Sequence, residues 1–356
     1  MIAHCELSGL LRPSKTNNLF GATPVQQAHF VQKLSLRARQ TVAATAAAAA
    51  RGGNAVRKPR EENVAGEFYV DHTCIDCDTC RWMDPATYDR VGNMSAVVRQ
   101  PQTPEEREKA MQALITCPTF SIHARQKSDE VRAVVDGMPI PVEGCPNVYH
   151  CGFSSKDSFG STAYLIVRKS GNILVDSPRF DKHLLKQIQN LGGAKYHFLT
   201  HQDDVAGHDK WHEALGTERI IHATETNSSQ GTDEVEVQLE GEGPWQLPDG
   251  SQDIELIHTP GHTDGSVVLL FKPASVLFSG DHMGVSRRLG RLAVFTTYSS
   301  DTALQARSVE KLRQYNFLHV LPGHGRRAHF KDAEDLRVKW RGPPYCLEFG
   351  QKQHLL

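Results

Sequence analysis

Two domains of mixed α and β structure are what this 356-residue sequence predicts, a small one over 66–127 and a larger one over 145–345, behind a leader at 1–60. Three observations carry that expectation. Of the 40 Lys/Arg and 41 Asp/Glu in the chain, residues 1–60 hold nine bases and one acid, Glu6, so a basic leader precedes an acidic body. Between 66 and 127, short strand patterns surround one well-signalled helix. From about 145 onward apolar strand-like runs alternate with helical ones, and four runs end beside a histidine or aspartate.

The leader is rich in Arg, Ser, Thr and Ala and includes the low-complexity run Val42 to Ala50, a composition that suits an organelle transit peptide. A chloroplast address is expected, with the mitochondrion as the alternative; the other reading is a disordered or non-native basic leader, because Pro13 to Ala22 lacks the apolar core of a secretory signal. No stretch approaches the roughly 20 apolar residues of a membrane span, so no membrane is expected as a partner. An acidic body argues equally against a nucleic-acid backbone.

In the small domain, Glu67-Phe68-Tyr69-Val70 reads as a strand entering a loop and Ala96-Val97-Val98 as another. Thr103-Pro104-Glu105-Glu106 then starts a helix with an N-cap, a proline at the first helical position and a capping-box glutamate. Ala110, Met111, Leu114 and Ile115 mark its apolar face, and it ends by delivering Cys117. Upstream, Cys74, Cys77 and Cys80 repeat at intervals of three. Three closely spaced thiols and a distant fourth can wrap an iron–sulfur cubane. A four-cysteine zinc site is the rival, although zinc usually recruits two Cys-x-x-Cys pairs.

Residues 66–127 resemble a single-cluster bacterial-type ferredoxin, with Cys74, Cys77, Cys80 and Cys117-Pro118 at its four ligand positions. The resemblance implies an α+β ferredoxin-like domain holding one [4Fe–4S] cluster and moving one electron at a time, possible partners then including a redox protein.

In the larger domain, Ala163–Arg168 and Asn172–Asp176 read as a hairpin, Asp181–Leu191 as a helix, and Tyr196–Thr200 as a strand. Further strands fit Arg219–His222, Val235–Leu239, Asp253–His258, Ser266–Phe271 and Ser275–Ser279. A helix near Asp301–Tyr315 and a strand into Leu321 follow. His201 after Thr200, His262 in Thr259-Pro260-Gly261-His262, Asp281 in Ser279-Gly280-Asp281 and His324 in Pro322-Gly323-His324-Gly325 would then meet at one sheet edge as metal ligands.

This region resembles the metallo-β-lactamase superfamily, which implies an αββα sandwich of two packed sheets with helices outside. Carried over, His262, Asp281 and His324 match the family's later ligand motifs. The first motif departs from the pattern: the family writes His-x-His-x-Asp-His, whereas this sequence reads His201-Gln202-Asp203-Asp204-Val205-Ala206-Gly207-His208. Asp203 stands for the second histidine, and Val205 and Ala206 for two ligands of a second ion. A shifted loop would let Asp204 and His208, four apart on one helical face, restore part of that site. The alternative is that His208 and His212 are solvent-facing residues of an amphipathic helix with Trp211 and Leu215 inward.

The mixed nitrogen and oxygen set suits one or two zinc or iron ions. An ion with an open position activates water and polarises a carbonyl, which leads to hydrolysis of an ester, thioester or amide in a small-molecule substrate. Asp203 or Asp204 would shuttle the proton. Fusion to a cluster also admits an oxidoreductase in which electrons feed an iron centre, and the altered first motif admits a non-catalytic binding protein. His258 and His282 are read as packing residues, Cys145 and Cys151 as plain thiols, and Arg287-Arg288 with Arg291 as a solvated loop.

Overall fold

The computed structural model describes residues 57–126, 129–286 and 289–340. Residues 1–56 of the basic leader, Cys5, Arg287-Arg288 and Cys346 lie outside them; the last four leader residues instead join the first domain, Pro59 bridging to Asp71 and buried Arg60 donating to the Val91 carbonyl at 2.9 Å. The first domain is built from β1 (Phe68–Val70), α1 (Thr79–Met83), β2 (Tyr88–Val91), β3 (Met94–Val97), α2 (Pro104–Thr116) and β4 (Ile122–Ala124). β1 pairs antiparallel with β4, and β2 with β3. Thr103 caps α2 as expected, its Oγ1 accepting the Glu106 N–H at 3.2 Å, with Pro104 in the first turn. Ala110, Met111 and Ala113 then bury against Phe68, Val70, Tyr88 and Val97. Cys117 stands at the C-cap, where the helix stops before Pro118.

A short helix, α3 (Glu130–Asp136), leads to the second domain. Its first sheet contains β5 (Ile140–Pro141), β6 (Val148–His150), β7 (Tyr164–Ile166), β8 (Ile173–Val175), β9 (Tyr196–Phe198), β10 (Glu218–His222) and β11 (Val237–Leu239) in the spatial order β11-β10-β9-β8-β7-β6-β5. Helices α4 (Lys182–Asn190) and α5 (His208–Leu215) are the crossovers that make β8, β9 and β10 parallel. The second sheet has the order β12-β13-β14-β17-β18, from β12 (Ile254–His258), β13 (Val267–Phe271), β14 (Val276–Gly280), β17 (His319–Pro322) and β18 (Ala328–His329). Between β14 and β17 the chain makes the hairpin β15 (Met283–Ser286) and β16 (Arg291–Val294), then α6 (Thr302–Lys311); α7 (Ala333–Lys339) follows β18.

Period-two alternation sorts the side chains into layers. Ile173 and Val175 face the other sheet, whereas Leu174 faces Leu184, Ile188 and Trp211 on the helical side. Val267, Leu269 and Phe271 face inward; Val268 and Leu270 meet Val309 and Leu312 outside. The result is the αββα sandwich expected from sequence, with central strands buried on both faces. Ile115 of α2 lies in the same apolar cluster as Met138, Phe153 and Leu165, so the two domains share a packed boundary. Among the described residues no helix is long and apolar enough to cross a membrane.

Candidate metal centre and cluster site

The ends of β9, β12, β14 and β17 deliver His201, His262, Asp281 and His324 to one edge of the sandwich. His262 Nε2 lies 3.6 Å from Asp281 Oδ2 and 3.8 Å from Asp203 Oδ2. His201 Nε2 is 3.7 Å from the same Asp281 oxygen, and His324 Nδ1 is 2.9 Å from Asp281 Oδ1. Ligand atoms of His201, Asp203 and His262 all lie within 4.8 Å of one another, as do those of His201, Asp204 and Asp281. His201 is common to the two groups, and the Asp281 carboxylate faces His201, His262 and His324. Glycine is required at 323 because a Cβ there would meet Asp204 Oδ2 at 2.8 Å and Asp281 Oδ1 at 3.1 Å.

The donors fit a cation. Thr200 Oγ1 bonds His201 Nδ1 at 2.9 Å and is itself tied to Asp176 Oδ1 at 3.0 Å, which turns the imidazole so that Nε2 enters the ring. That Nε2 and Asp204 Oδ1 are buried with no hydrogen-bond partner, a costly arrangement that an ion between them would relieve. Burial and the neighbouring Asp281 charge push the Asp204 carboxyl up to about 6. Burial alone would raise Asp281 too, but His324, His201 and His262 hold it well below the usual carboxylate range. His201 is driven the other way, up to about 9, because Asp204, Asp281 and Asp203 outweigh its burial. A divalent ion would take over the role of those imidazolium charges.

The shifted-loop expectation is half corrected. A one-turn 3₁₀ helix, Gln202–Asp204, places Asp204 in the ring, but Gly207 with φ +83° separates it from α5, so Asp204 and His208 do not share a helical face. His208 is not a ligand in this arrangement: its Nε2 faces the Gln230 carbonyl at 3.0 Å and its Nδ1 faces Arg219 Nη1 at 3.1 Å. It is also buried rather than solvent-facing. His212 Nδ1 pairs with the Thr217 carbonyl at 2.8 Å, and Trp211 points inward. His258 stacks on His222 with centroids 4.7 Å apart, a packing role.

Three residues that shape the ring carried no motif. Ser161 Oγ donates to Asp204 Oδ2 at 2.6 Å, and Asp176, at φ +55° where β8 ends, anchors Thr200. Glu225 accepts the N–H groups of Gln202 at 2.8 Å and Gly265 at 2.7 Å, clamping the first-motif loop to the His262 loop. Only the strand ending at Asp176 gave a sequence hint.

In the first domain, Cys74, Cys77, Cys80 and Cys117 are free thiols, the last two buried. Backbone N–H groups aim at the sulfurs: Ser121 at Cys117 Sγ, 3.3 Å, and Asp76 and Ser95 at Cys74 Sγ, 3.5 Å each. Burial, then the charges of Cys117 and Cys74, push the Cys77 thiol up to about 12. Thiols this close are stable as thiolates only around a positive core, which is what a cluster supplies. The loop at 153–162 of the second domain closes over them. A Cβ on Gly160 would stand 3.1 Å from Cys77 Sγ, and Thr79 Oγ1 donates to the Gly160 carbonyl at 3.3 Å. The next residue is Ser161, on Asp204. Arg326, two positions beyond His324, reaches Asp78 at 3.3 Å, so both sides of the ring touch the cysteine loop.

Fold and site define a metal-binding αββα domain coupled to a cysteine-ligated one, and comparison with known proteins gives both a family. Residues 157–324 match the metallo-β-lactamase superfamily, and residues 70–124 match the 4Fe-4S single cluster domain of ferredoxin I. The chain therefore joins a single-cluster ferredoxin domain, which implies a [4Fe–4S] cofactor, to a metallo-β-lactamase domain. Over 133 residues it is 32% identical to a hydroxyacylglutathione hydrolase of Rhodospirillum rubrum, covering 36% of this chain and 50% of that protein. The chain thus spans about half the length of the curated relative it matches. Among solved structures, it is similar to the DIM-1 metallo-β-lactamase (21% identity, TM-score 0.43, 56% of this chain and 92% of that one). It is also similar to FIM-1 from Pseudomonas aeruginosa (19%, TM-score 0.39, 50% and 81%).

Proposed function

We propose that this protein is a metal-dependent hydrolase of small acyl compounds, thioesters first, whose ring of His201, Asp203, Asp204, His262, Asp281 and His324 is the reaction centre. The observation that carries it is the buried, unpartnered Nε2 of His201 inside a ring of carboxylates and imidazoles. The similarity to a hydroxyacylglutathione hydrolase favours acyl transfer to water. When bound, one or two zinc or iron ions would supply Lewis acidity and an activated water.

The chain's own residues divide the remaining work. His201, His262, Asp204, Asp281 and His324 hold the metal, with Thr200, Ser161 and Glu225 fixing their orientation. Asp204 is fully enclosed and bonded to Ser161, so of the two first-motif carboxylates it belongs with the ligands. Asp203, its side chain 25% exposed, can pass a proton between the reacting water and solvent.

The contact between Gly160 and Cys77 favours a second reading, in which the cluster feeds single electrons to iron at the ring. Anaerobic purification of the full chain, with iron, acid-labile sulfide and zinc counted and thioester, ester and amide hydrolysis assayed, separates the two. Metal-dependent hydrolysis abolished by His262→Ala supports the hydrolase. Absence of hydrolysis, together with non-cluster iron that changes oxidation state when the cluster is reduced, overturns it. The leader's chloroplast address, with the mitochondrion as alternative, stands as part of the same proposal.

A further inference from the structure

The connection between β5 and β6 carries a second cluster of metal-binding side chains, on the far end of β17 from His324. Cys145 lies in this turn, held by its N–H donating to the Val142 carbonyl at 3.0 Å and its own carbonyl accepting from Val148 at 3.1 Å. Gly144, at φ +73°, lets the turn settle against the ring of His319, whose Cε1 is 3.5 Å from where a Cβ would stand. His319 and His329 are directly opposed across the antiparallel pair β17–β18, and their Nδ1 atoms are 3.0 Å apart. Ligand atoms of Cys145, His319 and His329 all lie within 4.8 Å of one another.

We infer that Cys145, His319 and His329 form a zinc site independent of the proposed reaction centre. One soft sulfur and two imidazoles make a borderline-soft set that suits Zn²⁺. Two ligands of a tetrahedral zinc stand roughly 3.3 Å apart, close to the spacing of the two imidazole nitrogens. Three different stretches of chain converge here, and no motif of the hydrolase or the cluster uses them. The fourth corner faces outward, since His329 is exposed, and falls to water or to Glu143, whose charge reaches His329. Burial pushes the Cys145 thiol up to about 11, with the Arg327 charge opposing that shift. Binding releases the Cys145 proton, while the hydrogen shared between the two Nδ1 atoms passes to the Nε2 of its own ring. The ion would staple the turn between β5 and β6 to the β17–β18 pair, the strand that ends beside His324.

The test uses the intact chain with its cluster in place, incubated with Zn²⁺ alone and desalted. Wild-type protein is expected to hold one zinc more than Cys145→Ser or His329→Gln, and His262→Ala is expected to keep that zinc while losing metal at the reaction centre. X-ray absorption at the zinc edge should show a sulfur neighbour at about 2.3 Å that disappears in Cys145→Ser. His329 is exposed, so His329→Gln keeps the test alive if the cysteine variant fails to fold. Equal zinc in wild type and His329→Gln, or zinc with only nitrogen and oxygen neighbours, overturns the site.

Discussion

Replacing Gly160 by alanine probes the seam between the two domains. Gly160 has φ +92°, and a Cβ there would stand 2.8 Å from Cys77 Cβ, 3.1 Å from its Sγ and 3.2 Å from Pro118 Cγ. The proline ring is rigid and a cluster-bound sulfur cannot retreat, so neither neighbour gives way. Left-handed backbone costs alanine about 1–2 kcal/mol. Overpacking adds about 1–3 kcal/mol, for a total of about 2–5 kcal/mol. Gly92 supplies the control, since it has φ +70° with nothing within 4 Å of a Cβ, and Gly92→Ala therefore carries the backbone term alone. Thermal unfolding at a fixed scan rate, followed by cluster absorbance and by far-UV circular dichroism, should show Gly160→Ala melting on the order of 5–15 °C below wild type. Its cluster should bleach earlier than that of Gly92→Ala. If the two variants behave alike, the loop at 153–162 does not press on the cluster ligand and the close coupling of the two sites fails with it.

Other expectations follow from the ring and its surroundings. His262→Ala and His324→Ala should each deplete metal from the reaction centre while leaving acid-labile sulfide unchanged; metal retained at that centre would refute the ligand assignment. Asp203→Asn should keep the metal and lower kcat for thioester hydrolysis roughly 10²–10⁴-fold, whereas Asp204→Asn should lose metal; the reverse pattern exchanges their roles. Burial, reinforced by Arg327, holds buried His150 neutral well below its ordinary value of 6.5. As pH falls below 6.5 the unfolded chain takes up a proton there that the native state refuses, so stability declines by about 1.4 kcal/mol per pH unit from this group. His150→Leu should fall less steeply between pH 6.5 and 5 in denaturant titrations, and an unchanged slope would show that His150 can charge in place. Finally, residues 1–60 fused to a fluorescent protein should carry it into the chloroplast; cytosolic fluorescence would refute the address.

Both folds were readable because their signals are local. The cap at Thr103, the proline at 104 and the triple cysteine spacing each depend on neighbours within a few residues, as do the glycine-flanked ligands at 262, 281 and 324. The first motif was the hard part. Reading Asp204 and His208 onto one helix followed from their spacing, but Gly207 adopts a left-handed conformation that breaks the helix between them. Arg219, eleven residues away in sequence, then engages the imidazole. Ser161 and Glu225 were unreadable because each acts on a ligand loop more than twenty residues distant.

What the residues determined alone is the order of the elements and the donor chemistry: alternation of apolar residues sets which face of each strand is buried, and cysteine, histidine and aspartate bring their ligand character wherever they are placed. What only tertiary structure decided is adjacency. Packing of the loop at 153–162 between Cys77 and Asp204, and of Cys145 against His319 and His329, arises from sheet order and domain contact. Those depend on long-range burial rather than on local spacing, and so leave no period in the sequence.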